Sequence, residues 1–144
     1  ATDAFVQFGR GNAGAPGGYV YLVSVTGGSQ VQLTRFPPDR WNVSSAYQYF
    51  SGTATAPAWS SSLGARKPIF VDHAGVRRPS IHYVPGLKRY LLTAAHSGPG
   101  EIGVFEAVAL SKPTWVKTLF SAEMTTPALE TFSKRTFLPH SQSP

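Results

Sequence analysis

Apolar and polar residues along this chain alternate in short bursts, and Gly or Pro interrupts nearly every window long enough to show helical spacing. The bursts are rich in Val, Ile, Tyr and Phe, side chains that fit a pleated, half-buried surface. They predict strands over residues 4–8, 19–25, 30–36, 46–50, 68–71, 80–84, 90–95, 102–107 and 115–120. Turn chemistry separates them. The segment 9–18 is glycine-rich, Thr26-Gly27-Gly28-Ser29 has the composition of a hairpin loop, and Pro85-Gly86 that of a type II turn. The helical exceptions predicted are a short turn at 40–45 or the stretch 127–132. The expected fold class is therefore all-β.

An internal repeat sharpens this picture. Phe5-Val6-Gln7-Phe8 is echoed by Ser80-Ile81-His82-Tyr83, Tyr19-Val20-Tyr21-Leu22-Val23 by Tyr90-Leu91-Leu92-Thr93-Ala94, and residues 31–36 by 102–107. The offsets are all roughly 70 to 75 residues, and each copy ends in a tryptophan segment, Trp59-Ser60 or Trp115-Val116. A four-stranded antiparallel unit repeated in this way is how propeller blades look in sequence. The expectation is two four-stranded antiparallel blades of a β-propeller-like architecture within one partial domain, spanning 1–66 and 67–120, with 121–144 as tail or cap.

Composition narrows the chemistry. The 144 residues are enough for one ordinary core, and with only 14% charged residues wholesale disorder is not expected. No apolar run approaches the roughly 20 residues of a membrane-spanning helix, and no basic-then-apolar leader opens the sequence, so a soluble chain is expected. The absence of cysteine excludes disulfides, thiolate metal sites and cysteine nucleophiles. Thirteen Lys and Arg against seven Asp and Glu leave a net charge of +6, but the basic residues are scattered singles and pairs, a pattern that argues against nucleic acid as the partner.

The stretch 5–21 (FVQFGRGNAGAPGGYVY), the segment 33–52 ending in SAYQYFSG, and 79–107 (PSIHYVPGLKRYLLTAAHSGPGEIGVFEA) resemble the C-terminal half of proteins in domain-of-unknown-function family 4185. Those proteins are similar to five-bladed propeller glycoside hydrolases. The likeness spans residues 4–120 and rests on structural Gly, Pro and aromatic residues. It implies a secreted or cell-surface protein acting on or binding a polysaccharide or oligosaccharide, with no cofactor. The early blades, which carry the catalytic aspartates in the related glycosidases, have no counterpart.

Blade topology makes the repeat a map of faces, because the innermost strand starts at the ligand-binding mouth. That selects Asp3, Arg77 and Arg78 at the strand starts and the loops 26–30 and 96–101, and sends 9–18 and 84–88 to the opposite face. Glycoside hydrolysis requires two carboxylates roughly 5 to 9.5 Å apart. Asp3 and Glu101 are the carboxylates this map brings near the mouth. In the related glycosidases the acid often sits two residues before a proline that opens an inner strand, and here Arg77 stands at that position before Pro79. The bland readings are a frayed terminus for Asp3 and a solvated loop carboxylate for Glu101.

Arg77 and Arg78 have the planar fork that holds a sugar carboxylate or phosphate, and His96, in a Ser/Gly/Pro loop, is a candidate for bonding sugar hydroxyls. Their alternatives are an exposed pair and an ordinary loop histidine. Trp41, Trp59 and Trp115 are read as packing between blades in preference to stacking on sugars. His73 and His82 show no metal-ligand spacing, so no metal is expected. Gly9-Arg10-Gly11-Asn12-Ala13-Gly14 fits a dinucleotide-binding string but runs into a strand instead of a helix. The sequence thus predicts a carbohydrate-binding or glycoside-hydrolase-like propeller fragment, with binding favoured over turnover. The alternatives are a non-catalytic interaction module and, third, a basic nucleic-acid-binding domain. Two blades close no ring, so self-association or missing blades of a parent chain are expected to cover the open faces.

Overall fold

The computed structural model describes residues 3–53, 55–96 and 102–109, and the backbone of Val116–Ser121. The fold is all-β, with helical geometry confined to three-residue 3-10 turns among the described residues. The strands are β1 (Ala4–Phe5), β2 (Val20–Thr26), β3 (Gln30–Phe36), β4 (Gln48–Phe50), β5 (Trp59–Ser60), β6 (Pro68–Val71), β7 (Arg77–Val84), β8 (Arg89–Ala95), β9 (Ile102–Ala107) and β10 (Val116–Ser121). No described helix is long and apolar enough to cross a membrane.

The strands form two antiparallel sheets that do not interleave. The second runs β10-β9-β8-β7, a four-stranded meander of the predicted kind. The first follows β1-β2-β3-β4-β5 and gains a sixth strand, because the short β4 covers only Thr34 and Arg35 of β3 and leaves Gln30 and Val31 to pair with Val71 and Phe70 of β6. Residues 68–71 therefore belong to the first sheet, although the sequence reading places them in the second blade. Short 3-10 turns at Pro38–Arg40 and Ser44–Ala46 bracket the turn predicted near residue 40. The stretch 127–132 lies outside the described residues.

A parallel bridge joins the sheets. The Gln7 N–H donates to the Ile81 carbonyl at 2.9 Å, and the Tyr83 N–H donates to the Gln7 carbonyl at 2.8 Å, pairing Gln7 with His82. These are the residues that the repeat equates. The third echo shifts by one: Ser24 pairs with Gln32 and Ala95 with Ile102, so Gln32, not Val31, corresponds to Ile102.

Period-2 alternation makes the core. In β8, Tyr90, Leu92 and Ala94 are buried on one face, and in β9 Gly103, Phe105 and Ala107. Val6, Tyr21, Val23, Val31, Leu33, Phe50 and Ile69 of the first sheet share one apolar cluster with Ile81, Leu92, Ala94 and Phe105 of the second. Burying each large aliphatic or aromatic side chain contributes about 1.5–3 kcal/mol. Aromatic rings cross the seam: Phe8 lies 5.3 Å from Tyr21 and 5.9 Å from Tyr90, and Phe70 lies 4.6 Å from Phe105.

The β2–β3 hairpin turns through Gly27 and Gly28 at φ 60° and 71°, left-handed conformations that glycine adopts without steric cost. The type II turn expected at Pro85-Gly86 is not formed. Four residues separate the paired Val84 and Arg89, two overlapping turns close the loop, and Lys88, at φ 50°, takes the left-handed position in place of Gly86.

Candidate functional site

The turn after β6 is built by its own backbone. The Asp72 carboxylate accepts the Ala74 N–H at 2.9 Å through Oδ1, and the Gly75 N–H donates to the Asp72 carbonyl. This turn docks on the β2–β3 hairpin loop, since the Asp72 N–H donates to the Ser29 carbonyl at 2.9 Å and the Val76 N–H to the Gly28 carbonyl at 2.7 Å. The other carboxylate oxygen, Oδ2, lies 3.0 Å from His96 Nε2 at the end of β8. One end of the molecule thus gathers loop 26–30, Asp72, the start of β7 and His96, which are far apart in sequence.

His96 departs from its sequence reading. Its side chain is 3% exposed against 21% for Asp72, so the imidazole backs the carboxylate from inside and does not reach toward solvent as a loop histidine would. Gly103 makes room for it: a Cβ there would lie 3.1 Å from His96 Nε2 and 2.6 Å from the Phe105 ring. Asp72 is the member the sequence reading missed. Asp followed by Ala74 and Gly75 signals a turn, but nothing local reveals a partner 24 residues away.

Arg77 and Arg78 are both exposed. Arg77 pairs with Ala95, and the register slips between Arg77 and Ser80. At the slip Arg78 has φ 47°, a left-handed conformation costly for a non-glycine residue and sparsely populated outside functional sites and turns. Asp3, just before β1, is exposed. Glu101 and Trp115 lie outside the described residues. Among the described residues, no group of three or more His, Cys, Asp and Glu side chains is arranged to hold a metal.

A second feature lies at the opposite end, where β2 and β8 begin and β3 and β9 end. A cleft of about 270 Å³ is lined by Pro16, Tyr21, Arg35, Trp59, Tyr90 and Val108, among others. The Arg35 guanidinium lies 4.2 Å from the Tyr19 ring centre and 4.0 Å from that of Trp59, and its Nε donates to Gln48 Oε1 at 2.8 Å. Burial pushes the Tyr21 phenol above its usual value, with the hydrogen bond and charge of Arg35 opposing, and its hydroxyl donates to the Pro16 carbonyl at 2.9 Å. Burial likewise raises Tyr90, aided by Tyr83. Trp59 packs on Phe50 and Tyr21 within the first sheet while also walling this cleft. Exposed Trp41 does not pack in the core. The chain matches no family model and no curated protein sequence.

Proposed function

We propose that this chain is a carbohydrate-binding module of propeller-like architecture, and that its glycan contacts the end formed by the hairpin loop, Asp72, Arg77 and Arg78. The observation that carries the reading is a partly exposed carboxylate fixed from behind by a buried imidazole, beside two exposed arginines. A hydroxyl-rich ligand needs acceptors and planar donors whose positions do not shift on binding, and both stand here on strand ends. Arg78, at the register slip with φ 47°, adds an exposed planar donor beside the carboxylate. The resemblance to the five-bladed glycosidase-like family points to the same ligand class. Turnover would require Asp72 to work with a second carboxylate, whereas binding requires only the residues described, so we assign binding. His96 enters this reading as a positioning residue. The reading also includes further blades, or further copies of the chain, against the open faces of the two sheets.

A glycan array followed by calorimetry tests it. Oligosaccharide binding weakened roughly tenfold by Arg78→Ala or Asp72→Asn, with the fold intact, is the expected result. Failure to bind any glycan, or salt-sensitive binding to an oligonucleotide in its place, would overturn it.

A further inference from the structure

The cleft at the other end is a second candidate site, and its chemistry differs. Arg35 is clamped on both flat faces by Tyr19 and Trp59, and its Nε is held by Gln48. What the clamp and Gln48 leave for a ligand is the terminal Nη side of the guanidinium, which also bonds the Tyr21 hydroxyl, so a carboxylate there binds the fork alongside that hydroxyl. Among the described residues no carboxylate pairs with Arg35, since the one ion pair there joins His96 and Asp72. The positive charge therefore faces a cleft walled by Trp59, Tyr21 and Tyr90 without a counter-ion in the described fold.

The walls select the rest of the ligand. Aromatic faces stack on flat or ring-shaped groups, and about 270 Å³ is near the lower end of small-ligand pockets, room for roughly one ring. The raised Tyr21 and Tyr90 phenols stay neutral at physiological pH, so the cleft sets no phenolate against an incoming anion. We propose that this cleft binds a single six-membered ring carrying a carboxylate, with Arg35 holding the carboxylate and the aromatic walls holding the ring. This site is separate from the Asp72 end, and its occupancy does not depend on the reading given there.

The test is calorimetric titration of the full chain with galacturonate, with galactose as its neutral counterpart, and with benzoate as a ring carboxylate that is not a sugar. Galacturonate is expected to bind at least about tenfold more tightly than galactose, and Arg35→Lys, which keeps the charge but loses the fork, to remove most of that difference. Arg35→Gln should abolish the preference, with a thermal melt verifying the fold. If Arg35→Gln does not fold, Arg35→Lys and the galactose comparison carry the test alone. Binding of benzoate but not galacturonate supports the ring-carboxylate site and assigns it to aromatic acids. Measurable and equal affinity for galacturonate and galactose, absence of binding by both acids, or binding unchanged in a folded Arg35→Lys protein would each overturn the proposal.

Discussion

Gly103 shows how one missing side chain positions a site. Its Cβ would collide with the Phe105 ring and crowd His96 Nε2, so Gly103→Ala is expected to destabilise the protein by about 1–3 kcal/mol through overpacking, and to loosen the Asp72–His96 contact. Urea denaturation gives the first effect, and the imidazole resonances of His96 the second. Gly52 is tighter still: a Cβ there would overlap the Ala58 nitrogen and the Ala56 carbonyl oxygen, which are backbone atoms and cannot swing aside. Gly52→Ala is expected to cost more than Gly103→Ala in the same denaturation series. Titration supplies a further check. Tyr21 and Tyr90 hold their phenol protons more tightly folded than unfolded, so the stability they confer is full below about pH 10 and is lost as pH rises through their elevated folded values. Thermal melts between neutral pH and strongly alkaline pH should fall at the top of the range, and less so in Tyr90→Phe.

Among the elements, the junction of the segment after β1 with β7 couples the sheets. Two backbone hydrogen bonds flank Gln7, and one needs its N–H. Gln7→Pro removes that donor and leaves the Ile81 carbonyl unpaired, so a loss of about 1–3 kcal/mol is expected in denaturant unfolding. Most strands were readable in sequence: β2, β3, β6, β8, β9 and β10 stand within a residue of their predicted ranges. Others were not. The predicted strand at 4–8 shortens to Ala4–Phe5 because Gln7 turns to bridge the other sheet, and the two-residue β5 is too short to show an alternation. The Pro85-Gly86 turn failed because loop length, not local composition, set which residue took the left-handed conformation.

At the scale of the whole molecule, one apolar cluster spans both sheets, so neither has a core of its own. Unfolding of the full chain is expected to be a single cooperative transition, with calorimetric and van't Hoff enthalpies equal, and Leu33→Ala or Ile81→Ala should shift that one transition, each by about 2–5 kcal/mol. Two separately shifting transitions would show that the sheets fold independently. The candidate site was only half legible for the same reason. Arg77, Arg78 and the hairpin loop follow from where strands begin and end, whereas Asp72 and the burial of His96 depend on how the β6–β7 turn docks across the hairpin.

The all-β class, most strand positions and the equivalence of Gln7 with His82 in two copies of one unit were determined by the sequence, because period-2 alternation and a repeated unit are properties of neighbouring residues and of the spacing between copies; that the two residues pair was not. The attachment of β6 to β3, the burial of His96 behind Asp72 and the clamp of Arg35 between Tyr19 and Trp59 were decided only in three dimensions. Each joins groups many residues apart, and which of them meet depends on strand order within the first sheet or, for His96, on how the second sheet docks against it, choices that no local pattern encodes.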